Sequence, residues 1–367
     1  MTNQQTHHRP ESGASEQAAP LPTLVPDLDR YSRQMMFPAI GEKGQFRIYS
    51  SRVTLCGCGA LGTVLASSLV RAGVGFLRIV DRDFIETNNL QRQILFDEQD
   101  VADGLPKAEA AARKLRRVNS SVTIEPVVTD IDHTNIVRLV EDADLILDGT
   151  DNFETRYLIN DAAVKLGKPW VYGGCIGSHG HSMTILPGET PCLRCVIESS
   201  PPPGMAPTCE TAGILGPIVN IVASIQSAEA LKILTGQRDK INRELVVIDV
   251  WDSTFKKLKI AGLRESVDCP TCRRGEFPWL EGKLGSHSTS LCGRNAVQIA
   301  HRSTDRLSFA ELAQRLEGAG QVSYNRFMLR FQVDGYQFTV FPDGRAIIKG
   351  TSDIEKARSL YAKYIGH

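Results

Sequence analysis

The chain has 367 residues, too long for one average domain, so two domains are expected. Lys plus Arg equals Asp plus Glu at 42 each, so no overall basic field recruits nucleic acid or an anionic membrane. No stretch approaches the roughly 20 apolar residues that cross a bilayer, and the polar N-terminus lacks the apolar centre of a signal peptide. We therefore expect a cytoplasmic protein with no nucleic-acid or membrane partner.

The first part of the chain alternates between strand and helix patterns. Residues 1–27 are polar, contain prolines and lack an apolar period, which predicts a disordered leader. A helical stretch then leads to RVTLCGCGALG, the pattern of a strand, a tight glycine turn and a helix. Further strands are predicted at FLRIVD, VTIEPVV, ADLILDGT and PWVYGG, with helices beginning near Lys107, Thr134 and Glu154. This alternation predicts an α/β fold with a Rossmann-like, doubly wound and mainly parallel sheet.

The pattern changes after Gly174. The next segments are SMTILP, a crossover region rich in Cys and Pro, and a long apolar helix from about Gly216 to Leu234. They are followed by ELVVIDV and TFKKLKI, which predict an antiparallel hairpin. We place the first domain at residues 28–275 and a linker at 276–290. Beyond it, the helix SFAELAQRLEG, the strands RFMLRFQV, YQFTVFP and RAIIKG, and the helix DIEKARSLYAKYI predict a small α+β domain at 291–367, of unknown role.

The turn after the first strand fits G-x-G-x-x-G, in which small residues let a phosphate approach backbone N–H groups at a helix N-terminus. Its residues are Gly57, Gly59, Ala60 and Gly62. Asp81 ends the next strand, at the interval where an acidic residue contacts a ribose hydroxyl. These residues suit NAD and ATP equally well, and a glycine turn without a ligand is the simpler alternative.

The charged residues that follow favour a triphosphate. Arg92 lies in DRDFIETNNLQRQ together with Asp83 and Asn89, and Lys107 opens a helix after GLP. Arg and Lys suit phosphate oxygens and neutralise the charge that develops on leaving pyrophosphate, although each could be a solvated surface charge. Asp151, in DGTDN, ends another parallel strand, where its carboxylate can reach a Mg²⁺ ion on the phosphates or cap the next helix.

Five motifs, in their order along the chain, resemble those of the ThiF/MoeB family, relatives of ubiquitin-activating enzymes. The motifs are RYSRQ, GCGALG, DRDFIETNNLQRQ, GLPK and DGTDN. The resemblance covers roughly residues 29–274. It implies a homodimeric nucleotidyltransferase that adenylates the C-terminal glycine of a small ubiquitin-like sulfur carrier ending in Gly-Gly, of the ThiS/MoaD type, and releases pyrophosphate. A sulfur donor such as a cysteine desulfurase would be a second partner. The residues implied to line ATP are Ala60, Asp81, Asn89, Arg92, Lys107, Asp151 and Asn152.

Two positions need comment within this resemblance. Arg33, in RYSRQ, resembles an arginine contributed across the dimer. Ala60 stands where these enzymes often have glycine; its methyl group narrows the turn but should be tolerated.

Two C-x-x-C pairs, Cys192 with Cys195 and Cys269 with Cys272, match a closed tetrahedral zinc site that joins two distant segments. Four thiolates leave no open coordination position, so the zinc would be structural. A redox role is disfavoured because neither pair opens a helix after a strand in a suitable unit.

Cys209, in PTCETAG, precedes the long apolar helix, whose N-terminus favours a thiolate. We predict a nucleophile for sulfur or acyl transfer, with a non-catalytic loop cysteine as the alternative. Cys292 is a candidate second sulfur relay, although its surroundings lack a rhodanese loop. The remaining cysteines, Cys56, Cys58 and Cys175, fit packing, and His179 and His181 fit a polar loop better than substrate contact.

Two other function classes stay open. An NAD-dependent oxidoreductase fits the glycine turn but finds no plausible hydride-transfer site in the second half of the chain. A catalytically silent module that binds ubiquitin-like proteins would not need Arg92, Lys107 and Asp151 in this order. The pathway, whether thiamine, molybdenum cofactor, cysteine or tRNA thiolation, is not decided by the sequence.

Overall fold

The computed structural model describes residues 28–199, 212–284, 289–291, 295–299 and 307–365. The first domain contains one large sheet. Its strands are β1 (Arg52–Cys56), β2 (Phe76–Val80), β3 (Thr123–Val127), β4 (Leu145–Asp148), β5 (Trp170–Ile176), β6 (His179–Ile185), β7 (Leu245–Asp249) and β8 (Thr254–Leu258). They lie in the order β3-β2-β1-β4-β5-β6-β7-β8.

The sheet changes direction at β5. The strands β3, β2, β1, β4 and β5 pair in parallel, whereas β6, β7 and β8 continue the sheet in antiparallel. The near-continuous apolar run of β1 is buried, as expected for a parallel strand covered by helices on both faces. The predicted doubly wound sheet and its closing hairpin are therefore confirmed.

Helices cover both faces of this sheet. They are α1 (Ser32–Met35), α2 (Gly41–Tyr49), α3 (Ala60–Ala72), α4 (Glu98–Ala102), α5 (Lys107–Val118), α6 (Ile136–Val140), α7 (Phe153–Leu166), α8 (Leu193–Val196), α9 (Gly216–Thr235) and α10 (Leu263–Ser266). Short 3₁₀ turns occupy Leu28–Tyr31, Thr87–Asn89 and Arg238–Lys240. One core joins α3, α5 and α9 to the sheet, and a second, on the other face, joins α6 and α7 to the cysteine region.

Helix α9 is long and apolar enough to cross a membrane, by length and composition alone. This corrects the expectation that no stretch of the sequence reaches that length. In the fold, α9 packs against α3, β5 and β6, and residues such as Ile218, Val222 and Gln226 are fully buried. A helix that is apolar on most sides is typical of a position inside a protein core.

Residues 277–280, in the predicted linker, pack against the second core. The Trp279 ring stacks on Tyr157 with ring centroids 5.3 Å apart, and Leu280 is buried. This segment therefore continues the packed structure beyond the second C-x-x-C pair.

The C-terminal domain is a six-stranded antiparallel sheet with helices. Its elements are β9 (Thr289–Leu291), β10 (Ala296–Ile299), α11 (Phe309–Leu316), β11 (Gln321–Tyr324), β12 (Leu329–Val333), β13 (Tyr336–Val340), β14 (Ala346–Lys349) and α12 (Ile354–Tyr364). The order is β11-β12-β13-β14-β10-β9, and Phe331 and Phe338 lie in a core of its own. The sequence did not indicate β9, β10 and β11, which are short, and the residues of β11 are mostly exposed.

Candidate nucleotide site and metal centre

The glycine turn between β1 and α3 is shaped by close backbone contact. Gly57 has φ +88°, and a Cβ there would lie 2.7 Å from the backbone of Gly149. A Cβ on Gly62 would lie 2.2 Å from the Gly57 carbonyl oxygen. A Cβ on Gly59, by contrast, would have its nearest neighbour at 3.9 Å. Helix α3 begins at Ala60 without a side-chain cap, so its first N–H groups and the space beside Gly59 suit an anionic phosphate.

Asp81 holds the turn from the end of β2. Its Oδ2 accepts a hydrogen bond from the Cys58 N–H at 2.6 Å, and its Oδ1 accepts one from the Asp83 N–H at 2.7 Å. Burial raises the pKa of Asp81, although nearby Lys107 opposes the shift. Each carboxylate oxygen retains a second lone pair, so these bonds leave room for a ribose hydroxyl.

Lys107 is brought to the same place by pairing of two loop segments. Its backbone N–H donates to the Asp83 carbonyl at 2.9 Å, and the backbones of Phe84 and Pro106 form an isolated antiparallel β-bridge. Lys107 is 4% exposed, and its Nζ lies 3.1 Å from Asp83 Oδ2. A buried ammonium next to the glycine turn is a point charge suited to a phosphate.

The NNLQRQ segment adds further polar groups. Buried Asn89 accepts from the Glu86 N–H at 3.1 Å, and Arg92 Nη1 donates to the Asn88 carbonyl at 2.7 Å. Gln93 is 3% exposed, and its Oε1 has no hydrogen-bond partner within the described residues. The Nε2 atom of the same side chain is the nearest neighbour of the space beside Gly59, and an unpaired buried acceptor is costly, so the Gln93 amide suits a polar ligand there. Gln93 stands in the motif that indicated the site, yet the sequence alone did not select it.

The DGTDN loop is fixed by a buried network. Asp148 accepts from the Thr150 N–H and hydroxyl at 2.8 and 2.7 Å, and Arg156 Nε lies 3.3 Å from its Oδ2. Arg156 also donates to the Thr150 carbonyl at 2.7 Å, and Gln226 of α9 donates to the Asp148 carbonyl at 2.9 Å. Burial raises the pKa of Asp148 despite the neighbouring Arg156. Sequence reasoning missed Asp148, Arg156 and Gln226 as the groups that shape this loop.

The loop presents Asp151 and caps α7 with the next residue. Asn152 Oδ1 accepts from the Thr155 N–H at 2.8 Å, so Asn152, and not Asp151, is the N-cap. The exposed Asp151 carboxylate makes no hydrogen bond or ion pair with the described residues. Burial opposes protonation of Arg82, but Asp130, Asp83 and Asp151 together raise its pKa. These carboxylates therefore act on one guanidinium at the carboxyl ends of β2, β3 and β4.

Arg33 lies elsewhere in the chain. It is exposed on α1, where its Nη1 is 3.5 Å from the Met36 sulfur. Met36 and its neighbour Phe37 are 69% and 59% exposed. Tyr31, two residues before Arg33, packs on Gly73 just beyond the C-terminal end of α3, whereas the glycine turn lies at the N-terminal end of that helix.

The four cysteines of the two C-x-x-C pairs form one cluster. The Sγ–Sγ distances are 3.8 Å for Cys192–Cys195, 3.6 Å for Cys192–Cys269 and 3.3 Å for Cys195–Cys272, and all four sulfurs lie within 4.8 Å of one another. Zn–S bonds of about 2.3 Å in a tetrahedron put sulfurs about 3.8 Å apart, so the cluster fits zinc. Contacts among the four sulfurs lower the pKa of Cys269 and Cys272 and raise the pKa of Cys192 and Cys195.

Helix α7 supports the cluster from one side. Asn160 Oδ1 accepts from the Leu193 N–H at 2.9 Å, next to Cys192. Asp161 accepts from the Thr271 hydroxyl and the Trp279 N–H, both at 3.1 Å. Burial raises the pKa of Asp161 to about 6. The same helix begins at the DGTDN loop, so it connects the cysteine cluster with the candidate nucleotide site.

The remaining cysteines and histidines have structural surroundings. Cys56 and Cys58 are fully buried, and burial raises the pKa of both thiols, while Cys175 is partly buried against the first core. The exposed His179 Nδ1 lies 3.3 Å from Asp249 Oδ2, and burial lowers the pKa of His181. Cys209 and Cys292, both candidates for sulfur transfer, lie outside the described residues.

Comparisons with known proteins agree on one family. The profile described as "ThiF family" matches residues 31–271. The "Sulfur carrier protein ThiS adenylyltransferase" of Bacillus subtilis (strain 168) is 44% identical over 338 residues, covering 92% of this chain and 99% of that protein. The "Sulfur carrier protein adenylyltransferase" of Thermus thermophilus is 39% identical over 251 residues, covering 67% of this chain and 91% of that protein.

A solved structure shares the fold at lower identity. The E. coli MccB structure titled "Crystal structure of E. coli MccB + MccA-N7isoASN" superposes with a TM-score of 0.59 at 22% identity, over 68% of this chain and 75% of that one. This likeness supports the architecture of the first domain alone.

Proposed function

Because this chain belongs to the ThiF family and is a nucleotidyltransferase, we propose that it uses ATP to adenylate the C-terminal carboxylate of a small sulfur-carrier protein. The proposal is carried by three segments that meet at the N-terminus of α3, which has no side-chain cap. Asp81 accepts from the Cys58 N–H, Lys107 pairs with Asp83, and the DGTDN loop, which carries Asp151, packs its Gly149 backbone against Gly57. They offer an acceptor for a ribose, a cation for phosphates and an exposed carboxylate, on three neighbouring segments. An NAD-dependent oxidoreductase would use the first of these and leave the other two without a role.

Each site residue then has a distinct task. The N–H groups of α3 beside Gly57, Gly59 and Gly62, together with Lys107 and Arg92, would hold the phosphates and offset negative charge as pyrophosphate leaves. Asp81 would accept from the ribose, with Asp83 orienting Lys107. Asn89, Ala60 and Asn152 would border the nucleotide.

Asp151 would hold the Mg²⁺ that accompanies ATP. Carboxylate oxygens are preferred Mg²⁺ ligands, and one or two of them are usual when phosphates supply the rest. Asp151 is exposed and makes no hydrogen bond or ion pair with the described residues, and the loop beneath it is fixed, which fits this task. Magnesium supplies charge neutralisation on the phosphates.

The carrier is proposed from the relatives. The Bacillus protein is named for the carrier ThiS and matches this chain over almost its whole length, so a ThiS-type carrier is our first candidate and a MoaD-type carrier the second. The reaction joins a carrier carboxylate oxygen to the α-phosphorus of ATP and releases pyrophosphate. A persulfide on a donor such as a cysteine desulfurase would then attack the acyl-adenylate carbonyl and displace AMP. A further thiol would reduce the S–S bond of the resulting acyl persulfide, which releases the thiocarboxylate and leaves that thiol in a disulfide with the donor sulfur. A cytoplasmic location stays a prediction from composition.

A homodimer would complete the site. Arg33 is exposed on α1, beside the exposed side chains of Met36 and Phe37, and its neighbour Tyr31 packs at the end of α3 that is remote from the glycine turn. A guanidinium supplied by the partner subunit would add positive charge to the phosphates.

The proposal is tested by exchange of labelled pyrophosphate into ATP. We expect exchange only when a carrier ending in Gly-Gly is present, because the acyl-adenylate must form before pyrophosphate can re-enter. The matched control is the same carrier without its final glycine. No exchange with ThiS-type or MoaD-type carriers would reject the proposal, whereas nicotinamide reduction would support the oxidoreductase alternative.

Changing Cys209 to Ser should separate adenylation from sulfur transfer. Acyl-adenylate formation involves no thiol, so exchange should remain within about twofold of the native rate. Thiocarboxylate formation should fall by at least about tenfold, because a serine oxygen is a much weaker nucleophile at neutral pH. The measurement is the mass of the carrier after incubation with ATP and a sulfur source. Equal thiocarboxylate yields would make Cys209 a bystander, with Cys292→Ser as the next variant.

A further inference from the structure

The C-terminal domain rests on the loops that carry the candidate nucleotide site. Its contacts join Gln298 to Asp130, Asn325 to Gly104, Arg326 to Glu109, Phe341 to Phe84 and Lys349 to Glu86. On the first domain, these residues follow β2 or β3, or lie around the start of α5. The same segments carry Asp81, Asp83 and Lys107.

One group of contacts holds the loop after β2. The rings of Phe84 and Phe341 are 5.6 Å apart, and Lys349 forms an ion pair with Glu86. Phe84 directly follows Asp83, the carboxylate partner of Lys107. Movement of this ring would therefore move the Asp83–Lys107 pair, to which the proposed function gives the phosphates.

A second group holds the segment that leads into α5. Asn325 Nδ2 donates to the Gly104 carbonyl at 3.1 Å, and Arg326 lies 3.1 Å from Glu109. Lys107 lies between these two anchor points. The ends of the segment that positions Lys107 are thus attached to the C-terminal domain.

The third contact runs through a chain of polar side chains. Gln298 is 5% exposed, and its Nε2 donates to Asp130 Oδ2 at 2.9 Å. The same oxygen accepts from Arg82 Nη1 at 2.8 Å. Arg82 lies between Asp81 and Asp83 in sequence and also interacts electrostatically with Asp151. Gln298 therefore fixes a guanidinium at the edge of the site without reaching the site itself.

Other family members do without this domain. The Thermus relative matches 67% of this chain but 91% of its own length, which leaves no room for a counterpart of the C-terminal domain. The Bacillus relative matches 92% of this chain and 99% of its own length, so it has room for one. The C-terminal domain is thus an addition to the ThiF domain, which occurs without it in other proteins. Its contacts with the first domain lie on the segments that carry the candidate nucleotide site.

We propose that the C-terminal domain is a clamp that holds the nucleotide site in its binding conformation, with Gln298, Phe341 and Lys349 as positioning residues. The inference rests on the proposed use of ATP. The clamp touches neither the DGTDN loop nor Arg92 in the described contacts, so we expect its main effect to be on nucleotide affinity.

The test is the combined variant Gln298→Leu with Lys349→Ala in the full chain. We expect the Kd for a non-hydrolysable ATP analogue and the KM for ATP to rise about tenfold. An effect of this size corresponds to the loss of roughly one charged hydrogen bond and one ion pair. The kcat of pyrophosphate exchange should fall less than the ATP affinity, because Arg92 and Asp151 keep their places, and the KM for the carrier should change less than about twofold. Lys349→Arg, which keeps the charge opposite Glu86, should retain near-native affinity.

The matched control is Gln332→Leu with Lys363→Ala, two exposed positions of the same domain that lie on β12 and α12. It should leave ATP affinity unchanged. Hydrogen–deuterium exchange should accelerate at residues 82–86 and 103–109 in the clamp variant while β12 and β13 stay protected, which shows that the domain is still folded.

The outcomes separate the clamp from the proposed function. Native ATP affinity in the clamp variant, whether or not its C-terminal domain remains folded, would overturn the clamp alone. A higher KM for the carrier with unchanged ATP affinity would also overturn it and assign the domain to the carrier. If the native protein bound ATP but showed no pyrophosphate exchange, adenylation would be rejected. The clamp would then be decided by comparing the ATP affinity of the native protein with that of the clamp variant.

Discussion

Replacing Asp151 with Asn should lower the rate of carrier-dependent pyrophosphate exchange by about two to three orders of magnitude, the usual cost of removing one preorganised electrostatic contact. The substitution keeps the size of the side chain but removes the charge that would hold Mg²⁺. Asn152 caps α7 and the Asp148 network holds the loop, so folding should be unaffected. The measurement is exchange at saturating ATP, with the melting temperature as a check on folding.

The matched control is Asp239→Asn, a change of the same kind at an exposed 3₁₀ turn. It should leave exchange unchanged. If Asp151→Asn retained native exchange over a range of Mg²⁺ concentrations, Asp151 would have no part in the chemistry.

The same variant tests whether the site is shared between subunits. Arg33→Ala and Asp151→Asn should each be nearly inactive as homodimers. If Arg33 acts across the dimer, mixing equal amounts after subunit exchange should restore about a quarter of native activity, because half the dimers are mixed and each has one intact site. Failure of the mixture to recover activity, with mixed dimers demonstrated by mass, would place Arg33 outside the partner's site.

Removing one thiol of the cysteine cluster should strongly lower the stability of the folded protein. We expect one zinc per chain in the native protein and less than one in Cys269→Ser. The free energy of unfolding should fall by at least about 3 kcal/mol, part of the ~10–16 kcal/mol that structural zinc supplies in small domains. Metal analysis and thermal unfolding measure the two quantities.

Cys175→Ser is the control for this variant, because Cys175 lies outside the cluster. It should keep its zinc. A chelator should lower the melting temperature of the native protein and of Cys175→Ser, with little further effect on Cys269→Ser. Freshly purified native protein that contains no zinc would contradict the assignment.

Much of the fold could be predicted because its signals are local. Apolar runs of strand length, the turn at Gly57 and the helix patterns after it depend on neighbouring residues, and they gave the parallel part of the sheet and its antiparallel end. The two C-x-x-C pairs were equally informative, since zinc needs four ligands and each pair supplies two from one turn. The order of the motifs was enough to indicate an ATP site.

Other features depend on contacts between segments far apart in the chain. Gln226 reaches Asp148 across 78 positions, and Gln298 reaches Asp130 across 168. Nothing in the local pattern of a glutamine indicates which distant carbonyl or carboxylate it will meet. The same holds for the unpaired oxygen of Gln93, which is known only once the packing around it is known.

By itself, the sequence determined the family, the doubly wound sheet and the pairing of cysteines into one metal site, because these follow from periodicity, turn residues and ligand spacing. The tertiary structure alone decided that Asn152 caps α7 and leaves Asp151 open, and that α9 is a core helix. It also decided that the C-terminal domain rests on the segments that hold Asp83 and Lys107. Those outcomes depend on which surfaces pack against each other, and packing is a property of the whole chain that no single segment specifies.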